Sequence, residues 1–200
     1  MKKILKILGI SMATILVLGV ITLLIKGPSD VIVLTPEEEA KQQTEEISQY
    51  KNVDLSGFKA TTITGEKVSS DIFKDYDITM INLWETTCGP CIEEMPDIAK
   101  LYKNKPKGSN IISICVGLEE NKKDVSFANK VMRNSDAEFL TLIPDPILKK
   151  ALTDNVRIFP TTIFVDKNCK TIGTPHFGGH TSEDYKKAII DRLKLVNSAN

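Results

Sequence analysis

The longest apolar stretch comes first. No charged residue interrupts the chain from Ile7 to Ile25. That is about the length a helix needs to cross a ~30 Å bilayer core at roughly 1.5 Å per residue. Ser11, Thr14 and Thr22 fit inside it, because a helix lets their hydroxyls bond back to its own carbonyls. A cleaved signal peptide has a shorter apolar region and a small-x-small site after it, whereas "LLIKGPSD" follows here. The pattern predicts one uncleaved transmembrane helix within residues 1–26. Lys2, Lys3 and Lys6 precede it, and Asp30 with Glu37, Glu38 and Glu39 follow. The positive-inside tendency then puts the amino terminus in the cytoplasm and the rest of the chain outside, a single-pass protein of the cell membrane.

Residues 27–52 are mostly polar and acidic ("TPEEEAKQQTEEISQYKN") and read as a solvated tether. Thr35 before Pro36 and the glutamates is a helix-start signal, so a short exposed helix is expected there. A folded domain is expected over 53–200. "FKATTITGEKVSSDIF" alternates around Thr64-Gly65, which predicts a hairpin. "ITMINLW" (78–84) and "NIISICVGL" (110–118) are short apolar runs of the kind that form buried strands. "CIEEMPDIAKLYKN" places Ile92, Met95, Ile98, Ala99 and Tyr102 at helical spacing, with Pro96 expected to kink it. "DVSFANKVMRN" and "DPILKKALT" read as helices. "TTIFVD", the turn "DKNCK" and "CKTIGTPHFGG" read as a hairpin, and "SEDYKKAIIDRLKLV" as an amphipathic last helix capped by Ser182. Strands and helices alternate until a hairpin and a helix close the domain, the signature of an α/β sandwich around a mixed sheet.

Composition adds mainly exclusions. The 200 residues are 42% hydrophobic and 26% charged, an ordinary globular balance that argues against a wholly disordered chain. Lys+Arg and Asp+Glu are 26 each, so no net field points to nucleic acid. The four cysteines are Cys88, Cys91, Cys115 and Cys169, too few for a disulfide scaffold and not spaced as paired zinc ligands. No metal site is expected.

The chemistry concentrates at "WETTCGPC". A C-x-x-C pair that follows a strand and opens a helix puts its first cysteine at the helix amino terminus. Free N–H groups and the helix dipole stabilise a thiolate there. Gly89 lets the turn close, and Pro90 suits a first turn that needs no donor. Cys88 would be the attacking thiol and Cys91 the resolving one. A static disulfide is the competing reading, yet a bridge across so small a loop contributes little by loop entropy.

"INLWETTCGPCIEEMP" resembles the active-site segment of the thioredoxin superfamily. It is closer to the membrane-anchored, extracytoplasmic branch of TlpA and ResA proteins than to cytosolic thioredoxin. Asn82 stands where thioredoxin has a buried aspartate, Cys88, Cys91, Glu94 and Pro96 follow the branch's C-x-x-C-x-x-E-x-P pattern, and "VRIFPTTIFVDKNCKTIG" resembles its later proline-bearing segment. The resemblance covers about Val53 to Val196. It implies a thioredoxin-like fold with an amino-terminal hairpin extension, and a Cys88–Cys91 disulfide as the redox centre with no other cofactor. It implies that Glu94 is a buried or half-buried carboxylate moving protons to and from Cys91, that Trp84 packs beside the pair, and that Pro160 is a cis-proline facing it. Thr87 and Phe159 would line the substrate groove. Both depart from the residues common in the family and leave substrate preference open.

The resemblance further implies a monomeric reductase of protein disulfides. Its substrates would be apocytochrome c, an envelope or sporulation protein, or a methionine sulfoxide reductase, and a membrane protein of the CcdA or DsbD type would supply electrons. A net oxidase or isomerase with the same residues, and a non-catalytic anchored binding module, are the alternatives. A peroxidase lacks support, since the P-x-x-x-T-x-x-C context is missing. Cys115 is expected as a small buried hydrophobe, or else a third redox thiol, and Cys169 as an exposed spare thiol in a turn. Glu93 is expected as a surface glutamate, and His176 and His180 in surface or capping roles.

Overall fold

Two strands, β3 (Ile78–Trp84) and β4 (Ser109–Cys115), are buried at every position, and they form the centre of the sheet. A strand covered on both faces has to be nearly all apolar, which is why these two runs stand out in the sequence. They belong to a computed structural model that describes residues 36–118 and 122–198. The transmembrane anchor expected within 1–26 and the first part of the tether lie outside those residues. Among the described residues no helix is long and apolar enough to cross a membrane.

The other strands are β1 (Lys59–Thr62), β2 (Lys67–Ser69), β5 (Thr141–Ile143), β6 (Thr161–Asp166) and β7 (His176–Phe177). The order across the seven-stranded sheet is β2-β1-β5-β4-β3-β6-β7. β3, β4 and β5 run parallel, and the flanking pairs are antiparallel. The helices are α1 (Pro36–Gln49), α2 (Gly89–Lys103), α3 (Lys122–Asn134), α4 (Pro146–Leu148, continued by a π turn over Lys149–Thr153) and α5 (Ser182–Ser198). The mixed sheet, the early hairpin and the flanking helices are those expected. Gly65 turns the β1–β2 hairpin at φ 92°, a conformation that side chains disfavour.

Alternation sorts the strand residues onto two faces. Ile78, Met80 and Trp84 of β3, Ile111 and Cys115 of β4 and Phe164 of β6 pack with Met95 and Ile98 of α2, Ala128 and Val131 of α3, and Tyr185 and Ile189 of α5. Ile81, Leu83, Ile112, Ile114, Ile163 and Val165 pack on the opposite side with Leu55, Phe58, Phe73, Leu148 and Leu152. The cysteine-bearing helix α2 and the last helix α5 therefore share a face.

Several local expectations change. α1 forms after Thr35, but its end is not a solvated spacer. Glu46 and Tyr50 are buried, Thr171 Oγ1 donates to the Tyr50 carbonyl at 2.7 Å, and the packed unit begins at Thr44. β5 has no counterpart in the sequence pattern, because three residues are too few to show a period. α2 continues through Pro96, which is exposed on its surface. The segment after Asp166 folds back on β6 briefly, with Asp166 N–H to Lys170 O at 2.9 Å and Ile172 N–H to Phe164 O at 2.8 Å, before it leaves the strand. Asp166 Oδ1 accepts from the N–H groups of Asn168 and Lys170, and the chain then bonds to the segment before β1, Thr171 N–H to Val53 O at 3.0 Å. Only a single bridge, Val165 to Thr171, joins it to β6, and β6 meets its true partner later, at His176–Phe177. The cap of α5 is Thr181 rather than Ser182. Its Oγ1 accepts from Asp184 N–H at 3.3 Å while Asp184 Oδ2 accepts from Thr181 N–H at 3.1 Å, a reciprocal capping box.

Candidate active site

β3 ends at Trp84, and four residues later Cys88 caps α2. The Cys88 backbone is extended (φ −86°, ψ 101°), and its sulfur accepts from Cys91 N–H at 3.2 Å. Pro90 occupies the first turn, and Gly89 meets no neighbour that would crowd a side chain. Cys88 and Cys91 are joined in a disulfide with Cα atoms 5.3 Å apart. The two sulfurs are not equivalent. Cys88 is half-buried, whereas Cys91 is fully buried. Of the two only the first reaches the surface, and it is also the one at the positive end of the helix.

Glu94 follows one turn after Cys91 and is only 5% exposed. Strand alternation carries Asn82 to the same face as Met80 and Trp84, underneath α2. Its Nδ2 donates to Glu94 Oε1 at 2.8 Å and also lies 3.2 Å from Thr162 Oγ1 on β6. Thr162 Oγ1 donates to the Tyr185 hydroxyl at 3.3 Å, and that hydroxyl donates to Glu94 Oε2 at 2.7 Å. The four side chains close a ring. His180 N–H adds a further bond to Oε2, at 3.1 Å. Burial pushes the Glu94 carboxyl up, and the donations from Tyr185, Asn82 and the His180 backbone hold it part of the way down. Burial and the adjacent carboxylate drive the Tyr185 hydroxyl far above the usual phenol range. Asn82 Oδ1 is buried and has no hydrogen-bond partner among the described residues.

A run of rings walls this ring of hydrogen bonds. Phe164, His176, His180 and Tyr185 meet edge to face in sequence, with centroids 5.7, 5.2 and 5.5 Å apart. Burial, with smaller contributions from Arg192 and His180, lowers His176 to about 4. Toward solvent, a shallow groove of about 430 Å³ is lined by Pro90, Glu93, Glu94, Asp97, Gly179, His180, Thr181 and Asp184. Gly179 precedes the His180 N–H that bonds the carboxylate, and a Cβ built on it would lie 3.6 Å from Glu94 Oε2 and 3.8 Å from the Pro90 carbonyl.

The remaining expected residues fall as follows. Trp84 is buried in the same core cluster as Cys91, and its indole N–H donates to Ser113 Oγ at 3.3 Å. The Phe159–Pro160 bond is cis, Pro160 is buried, and its carbonyl accepts from Gly178 N–H at 2.8 Å. Phe159 packs against both core clusters. Thr87 is exposed and donates to Glu85 at 3.0 Å. Glu93 is exposed, as expected. Cys115 is buried at the end of β4, opposite Trp84. Cys169 is not an exposed thiol. Its φ of 65° folds the side chain inward, leaving it 7% exposed with its sulfur 3.8 Å from the Ser70 carbonyl, and burial pushes the thiol up. His180 does more than cap a helix, since its backbone and ring both border Glu94. Tyr185 and Thr162 were not anticipated. The available signal was a phenol on the apolar stripe of the last helix, where a buried hydroxyl must find a partner.

Residues 53–173 match the AhpC/TSA family. The chain belongs to that family. Within it, Ile81 and Glu85 stand where the P-x-x-x-T-x-x-C context would put proline and threonine. The thiol-disulfide oxidoreductase ResA of Bacillus cereus is 34% identical over 93 residues, 46% of this chain and 50% of that protein. The protein of the same name from Bacillus thuringiensis is 36% identical over 95 residues, again covering 46% and 50%. The chain thus spans about half the length of the curated relatives it matches. Among solved structures, a thioredoxin-family thiol:disulfide interchange protein of Chlorobium tepidum aligns with a TM-score of 0.59 at 20% identity, covering 72% of this chain and 97% of that one. StoA of Bacillus subtilis aligns with a TM-score of 0.52 at 20% identity, covering 65% and 93%. These likenesses establish a thioredoxin-like fold.

Proposed function

We propose that this protein is a membrane-tethered, extracytoplasmic thiol–disulfide oxidoreductase that reduces disulfides in other proteins. The observation that carries the reading is the placement of a half-buried Cys88 over a fully buried Cys91, with a buried carboxylate one turn further on. The names of the ResA relatives support the reaction class, and the uncharged run at the start of the sequence supports the tether.

The cycle starts from the dithiol. The Cys88 thiolate attacks one sulfur of the substrate disulfide. A Cys88–substrate S–S bond forms, the substrate bond breaks, and the first substrate sulfur leaves as a thiolate that water protonates. Cys91 then gives its proton to Glu94, and the Cys91 thiolate attacks Cys88 Sγ. The second substrate sulfur leaves as a thiolate, and the Cys88–Cys91 disulfide remains. Two electrons have passed to the substrate. A membrane electron donor of the CcdA or DsbD kind returns them, and anchoring both partners in one membrane raises their local concentration. Phe159, Pro160 and Thr87 border the approach to Cys88 in this reading.

The Cys91→Ser variant tests it. Without the resolving thiol, the mixed disulfide on Cys88 persists and its partner can be identified from membrane extracts. Disulfide-bearing client proteins and a membrane electron donor are the expected catch. Recovery of oxidase machinery alone, with a reduction potential near that of DsbA rather than thioredoxin, would replace reduction with oxidation.

A further inference from the structure

Of the three groups bonded to Glu94, one can reverse its hydrogen bond. Asn82 Nδ2 and His180 N–H can only donate, so both favour the carboxylate. A protonated Glu94 would need an acceptor for its new hydrogen. The Tyr185 hydroxyl is 2.7 Å from Oε2 and can either donate or accept. Once it accepts, its own hydrogen needs somewhere to go, and Thr162 Oγ1 lies 3.3 Å away. Tyr185, Thr162 and Asn82 are all buried, so water does not supply the missing partner cheaply.

We propose that Tyr185 is the positioning residue that lets Glu94 occupy both protonation states in place, by turning its hydroxyl between Glu94 Oε2 and Thr162 Oγ1. The proposal rests on the proton-accepting role given to Glu94 above. In the carboxylate state Thr162 donates to Tyr185 and Tyr185 donates to Glu94. In the acid state both bonds run the other way, so Glu94 donates to Tyr185, Tyr185 donates to Thr162, and the Thr162 hydroxyl rotates its own hydrogen off this line while its oxygen accepts from both Tyr185 and Asn82. No heavy atom has to move. The rings hold the phenol still for this, since Tyr185 sits edge to face with His180, which sits likewise with His176. Other titratable or charged groups near Glu94 are Cys88 at the cap of α2, Cys91, Glu93 and Asp97 on α2, His176 on β7, His180 on the loop after it, and Asp184 and Arg192 on α5. Of these, only His180 makes a direct bond to the carboxylate, and it does so through its backbone.

The two ring partners have opposite signatures. Tyr185→Phe removes the donor to the carboxylate and the acceptor for the acid; the bond to the charged form is the stronger of the two, so the acid gains. Thr162→Val leaves the Tyr185–Glu94 bond but strands the phenol hydrogen when Glu94 is protonated, and so favours the carboxylate. The full chain is reduced and mixed with 5,5′-dithiobis(2-nitrobenzoate). The first thionitrobenzoate released reports attack by Cys88. The second reports attack of Cys91 on the mixed disulfide, and its rate is followed against pH. In the unsubstituted chain the second release has an inflection that Glu94→Gln removes.

The expected result is a move of that inflection to higher pH in Tyr185→Phe, with about tenfold slower second release below it, and a move to lower pH in Thr162→Val. Unchanged inflections in both variants, or moves in the same direction, overturn the proposal even if thermal stability falls. Because the probe is a small disulfide, these outcomes do not depend on the physiological substrate. A chain whose Cys91→Ser variant traps no client, yet whose inflection shifts as described, would lose the proposed reductase role and keep the Tyr185 device.

Discussion

The two faces of the sheet are built from the same strands and follow opposite rules. On one face Ile81, Leu83, Ile112, Ile114, Ile163 and Val165 meet Leu55, Phe58, Phe73 and Leu148, and of the buried hydroxyls there Thr161 donates to the Ile158 carbonyl while Thr79 has no partner among the described residues. On the other, the alternate residues of the same strands include Asn82, Thr162 and Ser113, each buried and each in a side-chain hydrogen bond. The first face stabilises by removing apolar surface from water. The second gives up part of that stabilisation to hold a carboxyl group, a phenol and an amide in fixed geometry next to a disulfide. A one-residue step along β3, from Leu83 to Asn82, crosses from one rule to the other.

The largest effect should come from the redox face. Cys88→Ser should abolish turnover in a disulfide-reduction assay while leaving urea unfolding of the reduced protein nearly unchanged; a residual rate would mean that Cys91 can attack from its buried position. Next in size is Leu83→Ala on the apolar face, which should lose about 2–5 kcal/mol in urea unfolding. The pH inflection of the resolving step should stay where it is, and a shift would show that the two faces are coupled.

Glu94→Gln should slow the resolving step by about a hundredfold, and it should also stabilise the protein at neutral pH. The sign follows from the raised carboxyl. Between the unfolded carboxyl range and the raised folded value, the native state binds more protons than the unfolded state, so stability falls as pH rises through that window. The variant should lack this loss, and the two unfolding midpoints should converge in acid. The smallest effect belongs to His176→Phe. His176 is lowered from 6.5 to about 4, so the unfolded state binds more protons between those values and stability is lost as pH falls through them. Replacing it should flatten the acid limb of the stability profile, and an unaltered limb would show that His176 is not set apart from solvent.

What could be read in the sequence was local. β3 and β4 were visible as apolar runs, α2 as a helical period, and the disulfide as two cysteines at a helix start. Asn82 and Glu94 are 12 residues apart, and a sequence pattern could single both out. Tyr185 is 91 residues from Glu94, and Thr162 is 80 from Asn82. No periodicity joins positions at that distance, so half of the hydrogen-bonded ring was out of reach. Cys169 was misplaced for a different reason. A turn suggests exposure, but a left-handed residue within this turn points its thiol back into the core. The closing hairpin was legible, and β6 pairs with His176–Phe177 inside the expected segment, but not the detour between them, in which Asp166 gathers the turn and the chain also bonds to the segment before β1.

Gly179 lines the solvent groove beside Glu94, where it presents no side chain. Its backbone is not in the left-handed region, and a methyl group there would make ordinary contacts with Glu94 and the Pro90 carbonyl without displacing either. Alanine would therefore be tolerated by the fold and would narrow the groove. The speed at which Glu94 exchanges its proton with water then becomes a property that one small substitution can tune, separately from the affinity of the carboxylate for that proton.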